Sequence, residues 1–133
     1  MDVEGVRYYL LGLSKEKNPV WADLGGRAED DETTLETALR EFGEESRWVI
    51  KPNLSNITKI IITDRKENGK IDQALLFMKL EPTTENIYID DMFQSTIPKT
   101  KYEDEMQFLK WIPTSGLDSL KTTKSLKTVF KLI

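Results

Sequence analysis

Three glutamates define the chemistry this chain could perform: Glu41, Glu44 and Glu45, spaced i, i+3 and i+4 within one run of good helix formers. At that spacing their carboxylates share a helix face. Like charges placed so closely repel one another, and these fall late in the helix, near the negative end of its dipole. Helix stability asks for none of this. A hard divalent cation does, because several carboxylate oxygens on one rigid face can ligate Mg²⁺ while it keeps some of its waters. Taken alone, such a run is more ordinarily a solvated glutamate-rich face.

The elements that must position these carboxylates lie just upstream. Gly25-Gly26 supplies a sharp turn, Glu29-Asp30-Asp31-Glu32 an acidic one, and Thr33 or Thr34 can cap the helix that follows. Leu35, Ala38, Leu39 and Phe42 recur at three- and four-residue steps and form the apolar stripe that docks it. The three carboxylates lie beside that stripe, roughly at right angles to it, on what should be an exposed face.

In register, these residues closely resemble the signature of the Nudix hydrolases, G-x5-E-x7-R-E-U-x-E-E-x-G-U, where U is a bulky apolar residue. The matching positions are Gly26, Glu32, Arg40, Glu41, Phe42, Glu44, Glu45 and Trp48; one departs, with Arg47 at the late glycine. If that position requires a left-handed backbone, arginine costs about 1 kcal/mol relative to glycine. The resemblance implies a mixed α/β (α+β) fold, a β-sheet sandwiched between helices. It implies that Glu41, Glu44 and Glu45 hold divalent ions, with the backbone carbonyl of Gly26 as a further ligand. Arg40 and Glu32 would pair and orient the glutamates. Arg27 would face the substrate diphosphate; the alternative is an ordinary exposed arginine. Many relatives bring one more glutamate from a distant loop as ligand or general base, and Glu105 is the candidate, with Glu103 and Asp104 close rivals and Glu41 a further choice of base. The implied reaction is Mg²⁺-dependent hydrolysis, with Mn²⁺ as a substitute, of the diphosphate bond in a nucleoside diphosphate linked to another moiety. A non-catalytic nucleotide-binding module and a hydrolase directed at RNA caps are the alternatives. The first usually lacks a box glutamate, and the second usually carries extra domains or basic surface.

The whole chain constrains these readings. Its 133 residues suit one domain, 1–133, able to bury roughly two thirds of its unfolded surface. There is no cysteine, so disulfides and thiolate zinc sites are excluded. There is no histidine either, which excludes Ser-His triads and leaves proton transfer to carboxylates, lysines or metal-activated water. A net charge of −4 argues against a general nucleic-acid surface. No apolar run approaches twenty residues, so a membrane span is not expected and a cytoplasmic location is the default. A small nucleotide-type substrate fits this balance; monomer and homodimer stay open.

Elsewhere the patterning predicts strands over Glu4–Leu13, Val20–Leu24 and Met106–Ile112. A hairpin is expected from Ile57–Thr63 and Ile71–Leu80 around Asn68-Gly69-Lys70. Leu126, Val129, Phe130 and Ile133 predict a C-terminal helix after the Thr122-Thr123 caps. Pro82–Lys101 reads as an irregular polar surface loop with a substrate role. Tyr8, Trp21 and Phe77 are candidates for stacking on a nucleobase, though each suits a core equally well.

Overall fold

In the computed structural model, which describes residues 1–133 except 27, 30 and 132, the tyrosine- and leucine-rich run becomes a nine-residue strand, β2 (Val6–Ser14). A two-residue strand, β1 (Asp2–Val3), folds back on its start through Glu4-Gly5, both at positive φ. Along one edge of β2 runs β6 (Met106–Pro113), antiparallel from Tyr8 opposite Pro113 to Ser14 opposite Met106. On the other edge sits β3 (Trp21–Ala22), shorter than the Val20–Leu24 expected. Gly12 of β2 leaves room for the Met106 side chain; a Cβ there would come within 2.7 Å of the Met106 Sδ and push it aside.

Alternation along β2 and β6 divides the apolar side chains between two cores. Leu10, Met106, Leu109 and Trp111 face one, with Ile50, Leu80, Ile89, Phe93 and Phe42. Tyr9, Leu11 and Ile112 face the other, with Leu117, Leu126 and Val129. Helices α1 (Thr34–Glu45) and α3 (Ile89–Ser95) cover the first face and α4 (Lys124–Phe130) the second, which gives the expected mixed fold with a sheet between helices. β4 (Ile57–Arg65) and β5 (Ile71–Met78) form the hairpin as a separate two-stranded sheet. Its turn uses Gly69 at φ 82°, and the Asn68 Oδ1 accepts a 3.0 Å hydrogen bond from the Lys70 N–H.

The threonines act as caps. Thr33 Oγ1 accepts from the Glu36 N–H at 3.2 Å and starts α1; Thr123 Oγ1 accepts from the Leu126 N–H at 3.3 Å and starts α4. The reading of Pro82–Lys101 as an irregular loop is corrected. Thr83 caps α2 (Thr84–Ile87), and α3 follows directly. Ile89 and Phe93, one helical turn apart, are buried, while Asp91 and Met92 between them are exposed. This unit docks on β6: the Asp90 carboxylate accepts from the Leu109 N–H at 2.9 Å, and the Trp111 indole N–H donates to the Asn86 carbonyl at 2.6 Å.

Candidate active site

Helix α1 ends at Glu45, and its final turn carries the three glutamates. Arg40, directly before Glu41, binds the Glu32 carboxylate with two hydrogen bonds, Nε to Oε2 at 2.7 Å and Nη2 to Oε1 at 2.9 Å. The same guanidinium reaches Glu41 Oε1 at 2.9 Å and Glu44 Oε2 at 3.1 Å. The structure therefore brings Glu32, Arg40, Glu41 and Glu44 into one network. Arg40 holds the Glu32 carboxyl down to about 2, and Glu32 in turn raises the arginine.

Glu45 is turned the other way. It is 4% exposed rather than on an open face, and its Oε1 accepts a 2.6 Å hydrogen bond from the Gly25 N–H. Burial pushes its carboxyl up to about 8; the Gly25 hydrogen bond opposes this, and the charges of Glu105, Glu41 and Asp23 add to it. Burial also raises Glu41, against the pull of Arg40. Gly26 presses so closely on Glu41 that a Cβ at this position would overlap the carboxylate. Glycine is needed here for room.

Glu105 follows a 3₁₀ turn, Lys101–Asp104, and precedes β6. It is far away in sequence, yet its charge acts on both Glu41 and Glu45. Its rivals are engaged elsewhere. Glu103 Oε1 accepts from the Lys99 N–H at 3.3 Å, and Asp104 pairs with Lys15 and Arg47. Asp23 was not singled out from sequence. It is the first residue after β3, and burial raises its carboxyl beside Glu45. An acid set between Ala22 and Leu24 was the available signal.

Arg27 lies outside the described residues. Of the aromatic candidates, Tyr8 and Phe77 line the cleft that also holds Gly26 and Glu45, and Lys59 Nζ sits 5.8 Å from the centre of the Phe77 ring. Trp21 packs with the α4-side core.

Among the described residues, no three acidic side chains converge as a ready-made ion site; Glu41 and Glu44 are drawn to Arg40 and Glu45 to Gly25. The donor chemistry nevertheless fits a hard cation. A buried carboxylate with one neutral hydrogen bond and three acidic neighbours is satisfied by a proton or by a metal ion. No helix among the described residues is long and apolar enough to cross a membrane.

Neither the curated proteins nor the solved structures provide a match to this chain. The Nudix domain profile does, over residues 6–132, a span that contains β2 to β6, both cores and the whole glutamate network. With that coverage, the chain belongs to the Nudix family, hydrolases that act on phosphoric anhydride bonds in nucleoside diphosphate derivatives.

Proposed function

We propose that this protein is a Mg²⁺-dependent pyrophosphohydrolase that cleaves the diphosphate bond of a nucleoside diphosphate linked to a second moiety. The observation that carries this reading is Glu45, a buried carboxylate that the Gly25 N–H holds and on which the charges of Glu105, Glu41 and Asp23 act. Glu41, Glu44 and Glu45 would hold the ion together with the Gly26 carbonyl. Bound there, Mg²⁺ or Mn²⁺ supplies charge neutralisation on the phosphates and acidifies the attacking water.

The chain's own residues account for the remaining work. Arg40, fixed by Glu32, holds the Glu41 and Glu44 carboxylates together, with Glu41 against Gly26. Glu105 takes the proton from the water as its oxygen attacks one phosphorus; the bridging P–O bond breaks and a phosphorylated group departs. The resemblance assigns to Arg27 the neutralisation of charge that develops on the diphosphate. With neither histidine nor cysteine in the chain, carboxylates are the natural proton acceptors.

The test is a hydrolysis screen over nucleoside triphosphates, dinucleoside polyphosphates, ADP-ribose and nucleotide sugars, with products resolved by mass. Turnover should require Mg²⁺ or Mn²⁺ and vanish in EDTA, and Glu45→Gln should remove most of it. Turnover undiminished by EDTA, or full activity in Glu45→Gln, refutes the metal assignment.

A further inference from the structure

Arg47 stands where the family pattern has glycine, and its backbone takes the left-handed conformation that glycine favours, at φ 55°. The strain that an L-residue carries there has a visible return. The side chain is buried, and its guanidinium reaches across the molecule. Nη1 donates to the carbonyls of Phe93 and Thr96, both at 3.1 Å, at the end of α3. Nε donates to the Glu103 carbonyl at 3.0 Å, and Nη2 lies 3.5 Å from both the Met106 carbonyl and Asp104 Oδ1. Beneath it, the Phe93 ring centre is 4.0 Å from the guanidinium carbon.

One planar cation thus fastens both flanks of the 97–102 loop to the end of the helix that carries the catalytic glutamates. Glu105 lies between the anchored residues Asp104 and Met106. Its own carbonyl is fixed from the far side by the Lys15 N–H at 3.1 Å, while Lys15 Nζ pairs with Asp104. These contacts tie the backbone on both sides of Glu105 to the end of α1 and its own carbonyl to the end of β2.

We infer that Arg47 is a positioning residue for Glu105, coupling the distant carboxylate to the glutamates of α1 in the way a bare glycine could not. The inference rests on the reading of Glu105 as the proton acceptor. A guanidinium that only held α3 to β6 would also be buried, so the experiment has to separate the two roles.

The experiment compares wild type, Glu105→Gln, Arg47→Met and the double variant. ATP, ADP-ribose, diadenosine tetraphosphate and UDP-glucose are tried with Mg²⁺, and the fastest substrate is used for all four proteins. If Arg47 acts through Glu105, Arg47→Met lowers kcat by about 10²-fold with KM little changed, and the double variant is no slower than Glu105→Gln. Arg47→Lys, which keeps the charge in a compact ammonium without the planar fork, falls in kcat as well and guards against failure of the methionine variant to fold. Amide exchange in Arg47→Met rises over 97–105 and is unchanged in α4. Losses that multiply in the double variant, or full kcat in Arg47→Lys with unaltered exchange over 97–105, overturn the role given to Arg47 and leave Glu105 as acceptor. Full activity in Glu105→Gln, or no hydrolysis of any of the four substrates, overturns the underlying reading of the site and this inference with it.

Discussion

Replacing Glu45 with glutamine should make the metal-free protein more stable, and increasingly so as pH rises. In the unfolded chain the carboxyl ionises near 4.5, whereas in the fold burial holds it to about 8. Between those values the folded state binds the extra proton, so stability falls as pH increases, and the loss is complete above the folded value. At 1.36 kcal/mol per unit, this amounts to about 3 kcal/mol at pH 6.5 and between about 4 and 5 kcal/mol at pH 8. Water entering beside the carboxylate reduces these ceilings, and a difference of about 2 kcal/mol is still well resolved by denaturation. Glutamine keeps an oxygen for the 2.6 Å hydrogen bond from the Gly25 N–H and has nothing to ionise. The assay is urea unfolding in EDTA at pH 5, 6.5 and 8, followed by tryptophan fluorescence. Wild type and Glu45→Gln should be nearly equal at pH 5 and diverge in favour of the variant by pH 8. Added Mg²⁺ should restore wild type alone, since an ion relieves the same buried charge. A difference between the two proteins that does not change with pH refutes the account of Glu45.

Two further substitutions probe the neighbouring contacts. Gly26→Ala places a methyl group on the Glu41 carboxylate, so turnover should drop at least about tenfold while the urea midpoint moves little, as read by parallel kinetics and unfolding. Arg40→Lys exchanges a fork that grips Glu32 twice and also meets Glu41 and Glu44 for a single ammonium. It should cost about 1–3 kcal/mol of stability and lower turnover, and a variant indistinguishable from wild type in both measurements would show that the network is idle.

The helix and its glutamates were legible in sequence because their signals are local. Thr33 caps within three residues, the apolar stripe repeats every turn, and Asn68-Gly69-Lys70 closes a hairpin on its own chemistry. Pairing of Arg40 with Glu32 was equally local, eight residues apart. What escaped depended on distant partners. The segment over 84–95 mixes acidic and apolar residues in helices of four and seven residues, too short to stand alone, and they dock through Ile89 and Phe93 against a strand that begins at residue 106. Glu45 leaves the same helical turn as Glu41 and Glu44, but it is buried and held by the N–H of Gly25, twenty residues earlier in the chain. Arg47 looked like a blemish in a pattern because its partners lie 46 to 59 residues downstream.

The hairpin of β4 and β5 contributes Lys59 and Phe77 to the cleft, yet among the described residues no strand pairing ties it to β2 or β6. It leans on the rest through side chains such as Leu75 and Phe77 on one side and Met78 on the other. Insertions or exchanges there can resize one wall of the cavity without slipping the register of Tyr8 to Ser14 against β6. Descendants of this sequence therefore have a hinge-like freedom to alter what the cleft admits, while the acidic machinery opposite stays where the central ladder puts it.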